Sequence, residues 1–423
     1  MTEIEGIMRS KSESGEWSTP QDLLFDPTDM EFMAYWLYKS YFPYTTDRPG
    51  SKMKRLLGDT KGTEFTLLPS NMRVEDTLSM SAVGDLMFAV NIERSKDRLY
   101  QAVNKVIFDH DIRFANLEST LTSESISDRS MQHEGDTPHI NITQDEYKAL
   151  VHHKKKSFNL LQLANNHIMD CGEEGARLTL SQLDKDNILG LGVFLEKSEA
   201  DRPQITEHKG VKIGWVSHTF SLNQQPTPEG KPWMVNVTDF HCVETPNLSQ
   251  IDQQIKACKK EGADLVFLSL HWGLEHEFFP HPDQQKWAHQ FAEWGADLII
   301  GHHPHVIQPI EVYRPTSSPD RTVPILYSLG NLTPGYGAAA TVLSLIAEIE
   351  IARGSLEGQQ VTRLQSIRLT PTAFMAAEEG GEEISVLEKL SKLVEDKELC
   401  PDSKNYVEQM AGYADLILGA SWR

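Results

Sequence analysis

The stretch DLIIGHHPHV, residues 297–306, decides the fold class of this 423-residue chain. Its first half is an aliphatic run typical of a buried strand, and its second half places three histidines within four residues. A near-continuous aliphatic strand belongs to a sheet that is covered on both faces. Buried imidazoles at its end need partners that satisfy their nitrogens. The stretch therefore predicts a core strand that carries polar groups to the edge of a sheet.

The same pattern recurs from about residue 77 onward. Short aliphatic runs alternate with amphipathic stretches of helical period, which indicates an α/β fold with a central sheet between layers of helices. The runs are TLSMSAV, DIRFA, FNLLQLA, VKIGWVS, DLVFLSL, DLIIG and VPILYSL. Beyond Ser328, TVLSLIAEIEIARG and QQVTRLQSIRLTP alternate with period two around GSLEGQ, and this pattern predicts antiparallel strands.

The two ends of the chain depart from this alternation. Residues 1–75 contain the aromatic cluster FMAYWLYKSYFPY, Phe32–Tyr44, which predicts an amphipathic helix packed on the main domain. A lid or a partner-docking arm is the alternative interpretation. Residues 373–423 contain the acidic AAEEGGEE, interpreted as an exposed linker, followed by two predicted helices. The predicted organisation is an N-terminal extension (1–75), a main domain (76–372) and a C-terminal helical tail (373–423).

Composition narrows the classes of function. The net charge of −21 argues against nonspecific nucleic-acid binding and against a stable hold on anionic membranes, because both need a basic face. The longest apolar runs fall far short of the roughly 20 residues of a membrane helix. The polar N-terminus lacks the apolar centre of a secretory signal, and the four cysteines form no CxxC pair. We therefore expect a cytoplasmic protein with free thiols.

Polar clusters follow the predicted strands at their carboxyl ends. They contain Asp85, Asn116, Glu118, Asn166, His167, His271, His302, His303, His305 and Asn331. Because ligands of open α/β sheets bind at this edge, we expect these side chains to converge on one site. Imidazole, carboxylate and amide oxygen together suit a divalent Mn, Fe, Zn or Ni ion. Side-chain alternation along extended backbone predicts that His303 and His305 share one face while His302 points away.

These residues stand in motifs that resemble those of the CapA family of capsule and poly-γ-glutamate biosynthesis proteins. The domain of that family belongs to the calcineurin-like metallophosphoesterase superfamily. The motifs are AVGDLMF, ANLES, LANNHIMDCG, LSLHWGLEHEF, GHHPHVIQPIE and YSLGNL, in the family's order between Ser79 and Thr370. The resemblance implies a four-layer αββα sandwich with a metal centre at the strand ends, to which this chain adds N- and C-terminal helical segments.

The resemblance also implies roles for single residues. Metal ligation falls to Asp85, Glu118 as the bridging carboxylate, Asn166, His271, His303 and His305. His167 corresponds to the catalytic histidine, and we expect Asp170 to orient it. We further expect that the ligands are held, or the substrate is contacted, by Asn116, Glu275, His302 and Asn331. Met87 stands where related enzymes carry a histidine in the first motif, so the resemblance implies one or two ions.

Three functions follow from these interpretations. The first is hydrolysis of a small anionic phosphoester by metal-activated water, with His167 as general acid. The second is metal-dependent chemistry on γ-glutamyl, amide or carboxylate metabolites in a poly-γ-glutamate-like biosynthesis. The third is a non-catalytic accessory subunit of a peptide ligase that docks through the aromatic N-terminal segment. A catalytic-type histidine beside an orienting aspartate favours an enzyme.

Overall fold

Two β-sheets pack face to face at the centre of the computed structural model, which describes residues 3–51, 53–58, 61–122, 139–335 and 337–423. Helices cover the outer face of each sheet. This four-layer αββα sandwich confirms the fold class that the resemblance implied. The single central sheet expected from the alternation alone is wrong. A strand covered by helices on one face and by a second sheet on the other shows the same aliphatic pattern.

Eleven α-helices lie within the described residues. They are α1 (Glu3–Glu13), α2 (Met30–Tyr41), α3 (Met53–Gly58), α4 (Asn104–Phe108), α5 (Gln144–Val151), α6 (Gly172–Lys185), α7 (Lys197–Ala200), α8 (Ser249–Lys260), α9 (Pro282–Trp294), α10 (Leu390–Glu395) and α11 (Pro401–Leu418). Short 3-10 turns span Glu16–Ser18, Ile92–Ser95 and Gly419–Trp422. No helix of this described set is long and apolar enough to cross a bilayer.

The same part of the chain contains nineteen strands. They are β1 (Glu64–Thr66), β2 (Arg73–Leu86), β3 (Ile112–Leu117), β4 (Thr120–Leu121), β5 (Asn141–Ile142), β6 (His152–His153), β7 (Lys156–Ser157), β8 (Leu160–Gln162), β9 (Leu189–Leu191), β10 (Gln204–His208), β11 (Val211–Thr219), β12 (Leu265–His271), β13 (Leu298–His302), β14 (Ile310–Tyr313), β15 (Val323–Leu326), β16 (Asn331–Thr333), β17 (Leu343–Leu356), β18 (Gln359–Glu379) and β19 (Glu382–Lys389).

The larger sheet has nine strands in the order β1-β18-β17-β2-β3-β8-β9, with β16 paired to β2 and β19 to β18. Strands β2, β3, β8 and β9 are parallel, whereas β17 runs antiparallel to β2. The smaller sheet has the order β10-β11-β12-β13-β15-β14, and its four central strands are parallel. The residues that follow the parallel strands of the two sheets contact one another. The parallel strands of both sheets therefore end at the same edge of the sandwich.

Alternation along β12 shows how one strand serves two cores. Leu265 and Phe267 belong to the core between the sheets, while Val266 and Leu268 pack under α8 and α9. His271 lies four residues after Phe267, so the same period directs its side chain to the space between the sheets. The two sheets contact one another through rings such as Phe114 and Trp215, whose centroids are 5.8 Å apart.

The C-terminal prediction is wrong in its first part. Residues 373–389 are not a helical tail, because β18 continues to Glu379 and β19 returns along it. The acidic AAEEGGEE forms the end of this hairpin, where Gly380 and Gly381 adopt positive φ angles of 64° and 84°. Glycine is favoured in this left-handed conformation, so the turn chemistry outweighed the charge pattern. The two predicted helices do follow, as α10 and α11.

The aromatic N-terminal stretch forms a helix, as its pattern predicted. Asp29 caps α2 by accepting a hydrogen bond from the Glu31 backbone at 2.7 Å. Tyr35 packs edge-on against Trp17, with ring centroids 5.3 Å apart, and both residues are buried. The extension is therefore a packed layer on the sandwich with a small core of its own.

Candidate metal centre

The two sheets bring the predicted polar residues together at one edge. The larger sheet supplies Asp85 from β2, Asn116 and Glu118 at the end of β3, Asn166 and His167 after β8, and Asn331 from β16. The smaller sheet supplies His271 from β12 and His302, His303 and His305 at the end of β13. All of these side chains are buried, and hydrogen bonds or ion pairs link them across the gap between the sheets.

Two glycines explain why the ligand residues can stand so close to a neighbouring strand. A Cβ atom on Gly84 would lie 1.8 Å from the carbonyl oxygen of Gly330, and one on Gly301 would lie 1.9 Å from that of Tyr327. Any side chain at either position would displace the adjacent backbone. The Gly-Asp and Gly-His steps of the sequence are therefore a packing requirement of this edge.

The backbone of the histidine stretch differs from the prediction. Strand β13 ends at His302, and both His303 and His305 adopt positive φ angles, of 96° and 58°. Their rings do converge, with centroids 5.8 Å apart, but a left-handed turn around Pro304 brings them together rather than strand alternation. His302, expected to point away, instead contacts Asp85. Positive φ is unusual for non-glycine residues and is typical of constrained sites.

Asp85 connects the two sheets. Its Oδ1 accepts hydrogen bonds from Asn116 Nδ2 at 2.8 Å and from His302 Nδ1 at 2.9 Å. Its Oδ2 accepts one from the His303 backbone at 3.2 Å and lies 3.7 Å from His305 Nδ1. Burial acts to raise the pKa of Asp85, but the His302 hydrogen bond and the surrounding imidazoles hold it below its usual value.

Glu118 is the strongest indication of a bound ion. Both of its carboxylate oxygens are fully buried without a hydrogen-bond partner, and Oε1 lies 3.3 Å from His271 Nε2. His303 Nδ1 is also buried without a partner. Leaving such groups unsatisfied is costly, and ligation of a cation removes that cost. Glu118, His271 and His303 place one ligand atom each within 4.8 Å of one another, as do Asp85, Glu118 and His305.

The two ligand sets share Glu118, as a bridging carboxylate requires. Burial lowers the pKa of His271 and of His303 well below the usual value, which favours the neutral imidazole that binds metals. Burial raises the pKa of Glu118 well above its usual value. The set of two carboxylates and three imidazoles fits a divalent transition ion, and the residues present therefore suit such a group.

Glu275 belongs to a third set of potential ligands. It was predicted only to hold ligands or to touch substrate, but it lies with His303 and His305 within the same 4.8 Å limit. Its Oε1 is 3.5 Å from His305 Nε2. Burial would lower the pKa of His305, but the charges of Glu118 and Glu275 raise it to about 10. Met87, which stands in place of the histidine of the first motif, lines the same cavity as Glu275. The structure thus adds a carboxylate that could ligate an ion where that histidine is absent.

Amide side chains hold the imidazoles in place. Asn166 Oδ1 accepts from His271 Nε2 at 2.8 Å, and Asn331 Oδ1 accepts from His305 Nδ1 at the same distance. Asn116 Nδ2 lies 3.3 Å from His271 Nδ1. Such partners fix ring orientation at metal sites. Asn166 was predicted as a metal ligand. In the structure its Oδ1 bonds to His271, and the same oxygen could ligate an ion in place of that bond.

His167 and Asp170 form a separate pair at the rim of this cluster. His167 Nδ1 and Asp170 Oδ2 are 2.7 Å apart, and the same oxygen accepts from the Ile140 backbone at 2.5 Å. Burial acts to lower the pKa of His167, but the charge and the hydrogen bond of Asp170 raise it above its usual value. Because Nδ1 is engaged by Asp170, Nε2 is the nitrogen that remains for proton transfer.

A cavity of about 70 Å³ opens beside these residues. Its polar lining consists of Asn166, His167, Glu275, His305 and Asn223, and its apolar lining of Phe25, Pro27, Phe32, Met33, Trp36, Met87 and Ile140. A larger cavity of about 600 Å³ lies near α6 and β9, but none of the candidate ligands lines it. The smaller cavity is therefore the candidate substrate site.

Several functional contacts were not predicted. Phe220 lies 4.3 Å, centroid to centroid, from His303, and Asn223 Oδ1 accepts from Asn166 Nδ2 at 3.3 Å. Both residues follow β11. The sequence indicated them through the aliphatic run VKIGWVS, a predicted strand that ends at the same edge. The sequence makes His218, near the end of β11, a possible substrate contact. In the structure both of its ring nitrogens are used, on Gln254 at 2.8 Å and on Thr238 at 3.0 Å.

The sequence predicts a substrate-facing segment in the loop after β3, which contains His133 and His139, but it does not determine the direction of either histidine. His139 Nε2 lies 3.2 Å from Gln225 Nε2, near but not within the lining of the cavity. His133 lies outside the described residues. The prediction for this loop therefore stays a prediction.

The fold and the site together define an α/β sandwich protein with a candidate site for a divalent metal. A model of the family described as bacterial capsule synthesis protein PGA_cap matches residues 79–336, which is more than half of the chain. The chain belongs to this family.

Two similar proteins are named for PGA and capsule biosynthesis. The chain is 29% identical over 308 residues to the PGA biosynthesis protein CapA of Bacillus subtilis, which covers 70% of this chain and 74% of that protein. It is 27% identical over 290 residues to the capsule biosynthesis protein CapA of Bacillus anthracis, covering 67% of this chain and 66% of that protein. A crystal structure of a hypothetical protein from Thermus thermophilus aligns with a TM-score of 0.36 and 12% identity, over 70% of this chain and 98% of that one.

Proposed function

We propose that the protein is a metal-dependent hydrolase that cleaves small phosphoesters, with His167 as general acid. The observation that carries this proposal is the buried cluster around Glu118, whose unsatisfied carboxylate belongs to two sets of potential ligands. A purely structural role does not account for a desolvated carboxylate that has no hydrogen-bond partner. His167 lines the cavity and is held by Asp170. Its imidazole is the acid–base group that hydrolysis needs.

The chain's own residues account for the remaining steps. When bound, a divalent ion at this cluster supplies Lewis acidity and a water of lowered pKa. Asp85, Glu118, His271, His303 and His305 would hold it. His305 and Glu275 line the cavity, so an anionic group that enters the cavity lies directly against this cluster.

Protonation of the leaving oxygen falls to His167. Its Nδ1 is fixed by Asp170, which orients the ring and stabilises the imidazolium form. The proton at Nε2 passes to the leaving oxygen as the ester phosphorus–oxygen bond breaks and a water oxygen forms the new phosphorus–oxygen bond. The proton that this water loses restores the imidazolium. Asp170 is itself held by the Ile140 backbone, so the orientation of the pair does not depend on the substrate.

The test is phosphate release by metal-loaded protein from phosphomonoesters of two to four carbons. We expect activity with Mn²⁺, loss on chelation, and recovery when Mn²⁺ is restored. His289 on α9 bonds to Glu311 at 2.7 Å and serves as a matched control histidine. We expect His167→Asn to release phosphate about 10²–10⁴-fold more slowly and His289→Asn to retain activity. Absence of phosphate release from every ester, or full activity of His167→Asn, would contradict the proposal.

A second candidate is hydrolysis or transfer at a γ-glutamyl amide. It is favoured by the names of the relatives, which are a PGA and a capsule biosynthesis protein. The same cluster suits this chemistry because a Lewis acid polarises a carbonyl as well as a phosphoryl oxygen. Incubation of metal-loaded protein with γ-glutamyl peptides, followed by mass spectrometry, separates the two. Cleaved peptides without phosphate release would replace the first candidate by the second.

A further inference from the structure

The N-terminal extension forms one wall of the candidate substrate cavity. Five of its residues line the cavity opposite His167 and Glu275: Phe25, Pro27, Phe32, Met33 and Trp36. This wall, the N-terminal wall, lies wholly outside residues 79–336 that match the family model. On α2, Phe32, Met33 and Trp36 stand at positions i, i+1 and i+4 and so share one face. The candidate metal ligands therefore face an apolar surface that residues 79–336 do not supply.

A buried ion-pair network fixes the N-terminal wall to the loop of the site. Glu277 accepts from Lys39 Nζ at 3.0 Å and from Arg48 Nη1 at 2.5 Å, and all three side chains are buried. The Tyr44 backbone donates to the carbonyl of His276 at 2.9 Å. Breaking a buried pair by removing one partner is strongly destabilising, so the wall is held rigidly. These anchors lie one and two residues from Glu275, which lines the cavity.

Aromatic contacts continue from the wall to the candidate ligands. Phe32 packs edge-on against Phe25, with centroids 5.3 Å apart, and Phe25 packs in the same way against Phe220 at 4.9 Å. Phe220 lies 4.3 Å from the His303 ring. The wall and the metal cluster are thus parts of one packed structure, and the space between them has a fixed size.

That space is small. The cavity measures about 70 Å³, whereas a cavity that holds benzene measures about 150 Å³. A group of a few carbon atoms fills this volume, whereas an aromatic ring needs about twice as much space. We propose that the N-terminal wall is a specificity element that admits small anions bearing a short aliphatic group and excludes substrates with larger substituents. This inference rests on the proposed function and names the class of its substrate.

Binding of phosphonates to Mn²⁺-loaded protein, measured by calorimetry, tests this inference without turnover. Methyl-, ethyl- and phenylphosphonate share one anionic group and differ in the substituent that meets the wall. We expect ethylphosphonate to bind about fourfold more tightly than methylphosphonate, the gain expected for one buried methylene. We expect phenylphosphonate to bind at least tenfold more weakly than ethylphosphonate.

Variants assign the discrimination to the wall. We expect Trp36→Ala to raise the ratio of phenylphosphonate affinity to methylphosphonate affinity at least tenfold over that of the wild type. Tyr41→Ala is the matched control, because Tyr41 lies on the same helix, is 66% exposed and does not line the cavity. It should keep the wild-type ranking. If Trp36→Ala loses methylphosphonate binding through misfolding, Trp36→Leu, which keeps an apolar side chain, is measured in its place.

The outcomes separate this inference from the proposed function. Phenylphosphonate binding as tight as that of ethylphosphonate in the wild type, or an unchanged ranking in the Trp36 variant, would overturn the role of the wall while the site stays intact. Failure of all three phosphonates to bind the metal-loaded wild type would overturn the proposed function itself, and the inference with it.

Discussion

The two sheets contribute different chemistry to one site. The larger sheet supplies oxygen atoms, from Asp85, Glu118 and the amides Asn166 and Asn331, whereas the smaller sheet supplies imidazole nitrogens from His271 and the turn after β13. The one histidine that the larger sheet delivers, His167, pairs with Asp170 instead of joining a ligand set. The two ligand sets that contain Glu118 draw on both sheets, so the distance between the sheets sets their geometry, whereas Glu275, His303 and His305 all follow strands of the smaller sheet.

This division means that the core between the sheets is also part of the site's construction. Each ligand set in the cluster around Glu118 combines carboxylates of one sheet with imidazoles of the other. Stacked rings such as Phe114 and Trp215 hold the separation. Because close-packed interiors transmit small changes in volume, a substitution in this core should reach the ligands. Metal binding should in turn stabilise the packing of the two sheets.

The largest effect is expected when either sheet loses a ligand. Asp85→Ala removes an oxygen ligand of the larger sheet, and His271→Ala removes a nitrogen ligand of the smaller one. We expect each to lower metal affinity by more than about 100-fold, since even partners of ligands cost 10- to 100-fold. Elemental analysis after dialysis measures the bound metal, with His289→Ala as control. Full metal content in either variant would show that the sheets do not share the site.

The next effect concerns the exceptional histidine of the larger sheet. His167→Asn should leave metal content unchanged and reduce kcat by about 10²–10⁴-fold, the range for loss of a general acid. Metal analysis and phosphate release on the same sample give both quantities. Loss of metal in this variant would make His167 a ligand and would remove the distinction between the two histidine roles.

A smaller effect is expected from the hydrogen bond that crosses between the sheets. Asn331, on β16, orients His305 through a 2.8 Å contact. Asn331→Ala should lower metal affinity by about 10- to 100-fold through a misplaced ring. Asn331→Asp, which keeps an acceptor, should recover most of that loss. Equal affinities for the two variants would indicate that the acceptor has no role.

The smallest effect compares the two faces of one strand. Ile300 on β13 lies between the sheets, and its neighbour Ile299 lies under the helices, both fully buried. Ile→Val at either position should cost about 0.5–1.5 kcal/mol of unfolding free energy, measured with denaturant. Only Ile300→Val should also weaken metal binding, by a few-fold. Equal metal affinity in both variants would show that the inter-sheet spacing tolerates such a change.

The residues alone predicted the convergence of the polar side chains better than they predicted the number of sheets. Strand periodicity places Asp85, Asn116 and His271 at strand ends, and the carboxyl-edge rule then brings them together. Periodicity does not distinguish helices from a second sheet as the covering layer, so the partition into two sheets came only from the resemblance. The turn at His303 and His305 was not predictable, because a left-handed backbone at non-glycine residues depends on tertiary contacts.

Two other features depend on contacts distant in sequence. The C-terminal hairpin was mistaken for a linker because its charged residues face solvent on an edge strand. The role of the N-terminal aromatic residues was left as an alternative, since a helical pattern shows which face is apolar but not what that face covers. The buried pairing of Glu277 with Lys39 and Arg48, more than 200 positions away, helps to fix where α2 lies.

Strand β17 has a consequence for how the molecule can be divided. It pairs with β2 along most of that strand, from Arg73 to Ala82, just before Asp85. A protein trimmed to residues 79–336 would lose this neighbour and would leave the first ligand strand as a raw edge with unpaired backbone groups. The stretch that matches the family model is thus smaller than the unit that we expect to fold, because β17 closes the sheet beyond it.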